Sequence, residues 1–220
     1  VKKQIEYRLA GTAIRLELSQ SLFSSYQVDI GTQILLSSLR HGAALNLEKT
    51  LDLGCGSGVI GLYLKALKPQ CELHLTDRDM LAVEFAAHNA ALNKVAADCY
   101  GSLDLRSAPG DFSSIIFNFP AKLERLGLEA FVYGASNHLR PNGSSVFVVV
   151  SELRSAAEAV LARPEIRVDF SKHNKGHSVF HASFNEPIAA PCCGYQRGEM
   201  VLPLPGAPVV KTARGIPEYD

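Results

Sequence analysis

Apolar side chains fall on alternate positions near the start of the chain: Ile5, Tyr7 and Leu9, then Ile14, Leu16 and Leu18. A period of two is that of a strand with one buried face. Ala10-Gly11-Thr12 between the two sets predicts a hairpin turn, so residues 1–28 form a β-rich lead-in. The period then lengthens, with Ile34, Leu35, Ser38 and Leu39 on one helical face of Gly31–Arg40. From Thr50 onward short apolar runs alternate with helical stretches. Thr50–Leu53 predicts a buried strand, Val59–Leu67 a helix stopped by Pro69, and Glu72–Thr76 a second strand. Asp79 can cap a helix running to about Leu92, because its short carboxylate reaches an early backbone N–H. Val95–Tyr100 predicts a third strand and Phe112–Phe117 a fourth, followed by a helix near Glu124–Leu139 that stops at Pro141-Asn142-Gly143. Ser144–Val150 is a fifth strand, apolar enough to be covered on both faces. A helix at Glu152–Ala162 precedes Ile166–Phe170 and Ser178–Phe184, a strand pair about a Gly176 turn.

Strand and helix alternating at this spacing predict an α/β fold: a doubly wound, mostly parallel sheet with an antiparallel edge. Residues 185–220 break the pattern. Six prolines and four glycines punctuate them, from Pro187 to Pro217, and they read as an extended tail or linker.

Composition narrows the class. With 220 residues, 47% apolar and 20% charged, the chain is long enough for one domain with a real core. Its longest apolar run, around Val146–Val150, falls far short of the roughly 20 residues of a membrane span. Charged residues among the first twenty, from Lys2 to Glu17, interrupt any apolar signal core. The start at Val1 reads as a processed or excised piece of something longer. The 22 basic and 22 acidic residues balance, so bulk charge gives a nucleic-acid partner no support and leaves only local patches. Five cysteines with no C-x-x-C pair point to reduced thiols in a cytoplasmic protein.

The strongest local signal runs from Leu51 to Gly61, between a predicted strand and a predicted helix: Leu-Asp-Leu-Gly-Cys-Gly-Ser-Gly-Val-Ile-Gly. Glycines there let the backbone turn sharply and approach a ligand, and the helix N-terminus offers free N–H groups. Gly56-x-Gly58-x-x-Gly61 also matches a dinucleotide fingerprint. Asp52, ahead of the glycines, tips the balance away from a nicotinamide. A cofactor carrying an ammonium and a sulfonium gains from an acid there, and a nicotinamide does not. Asp77, at the end of the second strand, can accept from two ribose hydroxyls in either reading. The pair predicts a nucleoside-cofactor site.

The sequence resembles the class I S-adenosylmethionine-dependent methyltransferases, and within them the small-methyltransferase group that includes the ribosomal RNA guanine-N2 enzymes. Leu22-Phe23-Ser24 with Val28-Asp29-Ile30-Gly31-Thr32, then Ser114–Pro120, then Leu139–Gly143 carry the resemblance beside the glycine loop. It covers about Ile5 to Phe184 and implies a seven-stranded sheet. It also implies a methyltransferase domain over residues 1–184, leaving 185–220 as the tail. S-adenosylmethionine is the implied cofactor, held by Thr32, Asp52, Gly54, Cys55, Gly56, Gly58, Asp77, Arg78, Ser102 and Asn118. Asn118-Phe119-Pro120 falls where the family's N-P-P motif positions a planar nitrogen, and these three are the implied catalytic residues. Attack on the methyl is an in-line displacement, so positioning supplies most of the catalysis.

Two departures stand out. The family's aromatic after the motif is Ala121 here, which removes a ring for stacking on a base and leaves Phe119 or Phe23 as stand-ins. Ser102 stands where many relatives have an acid for the adenine amine. His173, His177 and His181 recur every four residues but fall across two strands, so they read as core or surface histidines rather than zinc ligands. Cys55 is a small filler in the loop, and Cys192-Cys193 are free thiols by default. The expected function is N-methylation of an exocyclic amine, by resemblance a guanine of ribosomal RNA. The same chemistry on a protein side chain or a metabolite, and a non-catalytic cofactor-binding scaffold, are the alternatives.

Overall fold

A computed structural model describes residues 2–19, 28–39, 45–105, 108–123, 125–191, 196–201 and 209–213. The chain opens with the predicted hairpin, β1 (Lys2–Leu9) and β2 (Thr12–Ser19), paired antiparallel. Its two-residue turn puts Ala10 and Gly11 at positive φ, the geometry that matches the twist of the flanking strands. Ile14, Leu16 and Leu18 are buried while Arg15 and Glu17 between them face outward. Next come α1 (Ile30–Ser38), β3 (Lys49–Leu53), α2 (Val59–Leu67), β4 (Glu72–Asp77), α3 (Met80–Leu92) and β5 (Asp98–Gly101). Then follow β6 (Phe112–Asn118), α4 (Arg125–Ser136), β7 (Leu139–Val150), α5 (Arg154–Leu161), β8 (Ile166–His173) and β9 (His177–Phe184).

Strands β3 to β9 form one seven-stranded sheet in the order β5-β4-β3-β6-β7-β9-β8. The pairs from β5 to β7 are parallel, and β9 is antiparallel to both β7 and β8. Seven strands, doubly wound and mostly parallel with an antiparallel edge, is the architecture expected above. Apolar side chains fill both faces. Leu51, Ile115, Phe117, Phe147 and Phe180 pack under α4 and α5, and Leu73, Leu75, Ile116, Val146 and Val148 pack under α1, α2, α3 and the hairpin. This three-layer arrangement is why the central strands carry near-continuous apolar runs.

After β5 the chain crosses back to place β6 on the far side of β3. Between those two strands the order reverses, opening the crevice where doubly wound sheets bind ligands. The carboxyl ends of β3, β4 and β6 meet there.

Three details differ from the sequence reading. Strand β7 starts at Leu139, five residues early, because Phe112 N donates to His138 O (2.9 Å) and Leu139 pairs with Phe112. Pro141-Asn142-Gly143 is therefore an irregularity inside the strand, with Asn142 at φ 64°, rather than a turn before it. Helix α4 ends at Ser136, whose hydroxyl turns back to Tyr133 O (2.6 Å) and also accepts from Ile188 N (2.8 Å). Residues 196–201 and 209–213 of the expected extended tail pair as β10 (Gln196–Val201) and β11 (Val209–Ala213), an antiparallel ribbon outside the main sheet.

Three side-chain contacts fix how the outer elements dock. At the C-cap of α3, Asn93 exchanges bonds with Arg15 N and O (2.9 and 2.6 Å), and on α3 Asn89 does the same with Glu17 N and O (2.7 and 3.1 Å). These amides replace a third strand along β2 and satisfy its edge. At the other end, Ser38 of α1 meets Nε2 of His181 on β9 at 2.8 Å. Burial holds the His181 imidazole down to about 4, against a smaller opposing pull from Asp169. Its neutral form is the folded one, so its contribution is full above pH 6.5 and lost as pH falls towards 4. The urea midpoint should therefore fall between pH 6.5 and 4, and His181→Gln should flatten part of that slope. An unchanged slope would remove His181 from the account.

Candidate functional site

The glycine loop joins β3 to α2. Gly54, Gly56 and Gly58 all adopt positive φ (69°, 54° and 84°), a region other residues enter only with strain. Gly54 N and Cys55 N both donate to Thr76 O (2.8 and 2.9 Å), and Gly58 N closes a turn onto Cys55 O (2.8 Å). Nothing stands within 4 Å of where a Cβ would sit on Gly54 or Gly56, so the loop faces open space. The opposite holds at Gly61, where a Cβ would run into Leu75 and come within 3.0 Å of Leu73. That glycine lets α2 lie against the sheet.

Asp52 ends fully buried at the head of this loop. Its Oδ2 accepts from Gly61 N (2.8 Å), and Oδ1 has no partner among the described residues. Burial pushes its carboxyl up to about 7, resisted by the Gly61 hydrogen bond and helped by nearby Asp77. The acid expected beside a cationic ligand is thus held beneath the loop, where it holds the backbone of Gly61.

Asp77, at the end of β4, is half-buried. Its Oδ2 accepts from Gly56 N (2.9 Å) and its Oδ1 from Asp79 N (3.0 Å). Each oxygen keeps a further lone pair, which leaves the carboxylate able to receive a vicinal diol. Asp79 caps α3 by accepting from Leu81 N (2.9 Å), as the sequence predicts. Arg78, between them, is exposed. Ser102 N donates to Asp77 O (2.9 Å) and the Ser102 hydroxyl donates to Asp104 O. Only its oxygen, 9% exposed as a residue, remains to accept from an adenine amine. Cys55 is buried, and burial raises its thiol well above the usual range, as befits a filler rather than a nucleophile.

Asn118 closes β6 on the other side of the crevice. Its Nδ2 donates to Asp29 Oδ2 (2.6 Å) and to Thr32 Oγ1 (3.1 Å), joining α1 to the sheet. Phe119 does not provide a ring for stacking. It is 5% exposed, packed edge-on against Phe117, Phe131 and Phe147 at 4.8–5.8 Å between centroids. The expectation of a stand-in ring at Phe119 is corrected accordingly: the backbone after β6 turns this side chain into the core. Pro120 and Ala121 are exposed. Leu22-Phe23-Ser24 and Cys192-Cys193 lie outside the described residues. His173, His177 and His181 lie on β8 and β9 as expected, and among the described residues only His181 has a polar ring contact, with Ser38.

One supporting residue had escaped the sequence reading. Asn89, fully buried on α3, donates to Ser57 O (2.9 Å) as well as holding β2, so it braces the glycine loop from behind. Nothing in a helix interior marks such an asparagine, beyond the oddity of a polar residue among Ala82, Val83, Ala86 and Ala90.

A glycine loop, a buried acid beneath it and an acid at the next strand end define a nucleotide-type crevice at the switch point of a doubly wound sheet. Residues 13–181 match the methyltransferase small domain family, and the chain belongs to that family. It is 32% identical over 170 residues to the ribosomal RNA small subunit methyltransferase C of Pasteurella multocida, covering 76% of this chain and 48% of that protein. The protein of the same name from Haemophilus ducreyi is 34% identical over 165 residues, covering 73% and 46%. The chain thus spans about half the length of the curated relatives it matches. In fold it is similar to a 16S rRNA N2-guanine methyltransferase of T. thermophilus solved with AdoMet and guanosine. That match has a TM-score of 0.69 and 21% identity, and covers 84% of this chain and 51% of that one. A ribosomal protein L11 methylase from Lactobacillus delbrueckii subsp. bulgaricus superposes with a TM-score of 0.59 at 22% identity, covering 71% and 79%.

The raised Asp52 carboxyl makes a signed prediction. Its contribution to stability is present below about pH 4 and lost as pH rises through 7. Asp52→Asn removes that titration. The stability difference between variant and wild type should shift in favour of the variant by roughly 2–4 kcal/mol from pH 4 to pH 8, measured by urea unfolding. A constant difference across that range would show that Asp52 titrates normally.

Proposed function

We propose that this chain is the catalytic domain of an S-adenosylmethionine-dependent methyltransferase that methylates the exocyclic N2 amine of a guanine in ribosomal RNA, in the cytoplasm. The observation that carries the reading is the orientation of Asn118. Both of its N–H bonds are taken by Asp29 and Thr32, so its Oδ1, beside Gly31 at the carboxyl end of β6, is left as an acceptor. The named relatives supply the acceptor class.

The residues suit the cofactor. Asp77 would take the ribose diol, the open Gly54–Gly58 turn would admit the methionine end, and Asp52 would offset its positive charge from beneath. When bound, S-adenosylmethionine supplies an electrophilic methyl group. Asn118 Oδ1 accepts from the incoming amine and aims its lone pair, and the bound geometry lowers the barrier by removing the search for alignment. Arg78 and Lys122, exposed just beyond β4 and β6, offer phosphates a local positive edge on a chain of zero net charge. Among the described residues no helix is long and apolar enough to cross a membrane.

A protein side chain is the second reading, favoured by Ala121 and the buried Phe119, which leave a flipped base without a ring at the motif.

Labelled methyl transfer decides between them. Unmodified 16S ribosomal RNA, free and assembled into subunits, is assayed beside a protein extract. Label recovered as N2-methylguanine supports the proposal; label only in protein favours the second reading; cofactor binding with no label anywhere favours a scaffold. Asn118→Ala should cut turnover at least about 100-fold while S-adenosylmethionine affinity stays within about twofold. Asp77→Ala should weaken that affinity by about 10–100-fold in calorimetry. Unchanged affinity would place the cofactor elsewhere.

A further inference from the structure

The segment Val28-Asp29-Ile30-Gly31-Thr32 lies 86 or more residues from Asn118 in sequence, yet it supplies both partners of the Asn118 amide. Asp29 is the N-cap of α1. Its Oδ2 accepts from Thr32 N (3.0 Å) and from Asn118 Nδ2 (2.6 Å), so one carboxylate oxygen starts the helix and holds the side chain at the end of β6. Thr32, 7% exposed, takes the second N–H through Oγ1 (3.1 Å).

An asparagine amide can flip, exchanging its donor and acceptor ends. It cannot flip here without setting Oδ1 against a carboxylate oxygen. Gly31 completes the device: a Cβ there would stand 3.0 Å from Asp29 Oδ2 and 3.2 Å from Asn118 Oδ1, pressing on both partners. At its far end α1 is tied to β9 through Ser38 and His181, so the helix carrying Asp29 and Thr32 is seated on the sheet.

We infer that Asp29 and Thr32 are positioning residues that lock the Asn118 amide with Oδ1 outward, so that the site accepts a nucleophile presenting an N–H and rejects one presenting only a carbonyl. On a guanine that selects the exocyclic amine over the neighbouring O6. The inference rests on the methyltransferase reading for its consequence, and on the hydrogen bonds alone for its geometry.

The test uses Asp29→Ser and Thr32→Val in the full chain. Serine caps helices as well as aspartate but its hydroxyl is too short to reach Asn118 as well, so Asp29→Ser should keep the melting temperature near wild type. With 16S ribosomal RNA as acceptor, each variant should lower kcat about tenfold or more, and the Asp29 variant should leave KM for S-adenosylmethionine within about twofold. In an Asn118→Ala background neither should lower kcat further, because nothing remains to be positioned. A further tenfold loss in that background, or an unchanged kcat in the single variants, would overturn the inference.

A second readout needs no acceptor. By NMR both side-chain amide protons of Asn118 should exchange slowly with solvent in the wild type, and Thr32→Val should speed the exchange of one. Exchange as fast as in an exposed asparagine, or insensitive to both substitutions, would overturn the lock. If the wild-type protein methylated no guanine, the functional reading would fail and the amide exchange would still decide the positioning claim.

Discussion

The hydrogen bond from Gly61 N to the buried carboxylate of Asp52 is the constraint on which the site depends. It ties the last turn of β3 to the first turn of α2, and it forms only because Gly61 has no side chain to hold the helix off Leu73 and Leu75. With both ends pinned that closely, the chain between them must double back, and three glycines at positive φ let it do so. Burying the acid is costly, because leaving water disfavours its charged form. A sheet that needed only a tight turn could be built without that cost. The acid beneath the loop is consistent with the proposed cationic ligand, whose charge would favour its ionised form.

Around this centre the other elements act as braces. Asn89 reaches from α3 to both the hairpin and Ser57, so the β-rich lead-in supports the loop rather than decorating the sheet. Asp77 is held by Gly56 N and Asp79 N, which couples the second strand end to the loop and to the cap of α3. Opposite, α1 clamps Asn118. Asp52, Asp77 and Asn118 are each gripped by backbone or by a second polar group, which is what the proposed reaction, governed by alignment, would demand of its protein.

Much of this was legible in the sequence, for identifiable reasons. Strands β3, β4 and β6 and helices α2 and α3 sit within a residue or two of where their apolar runs and caps put them, because both faces of the central sheet are buried and leave no other reading of those runs. The Leu51–Gly61 signature was legible because each of its residues has a local task. What escaped were contacts across long sequence separation. The partners of Asn118 come from α1, and Asn89 looks like any helix-interior residue until β2 is laid beside it. The direction of Phe119 was missed because the alternation of a strand gives no guide once the strand ends. Pro141-Asn142-Gly143 misled because an irregularity inside a strand uses the same residues as a turn.

The most direct measurement is a crystal structure with S-adenosylhomocysteine, the demethylated cofactor. The account predicts ribose hydroxyls on the Asp77 carboxylate, the amino-acid end along Gly54–Gly58 above Asp52, and the sulfur facing Asn118 Oδ1. A ligand seated elsewhere on the chain, or no ligand at saturating concentration, would contradict the claim that this crevice was built for a methyl donor.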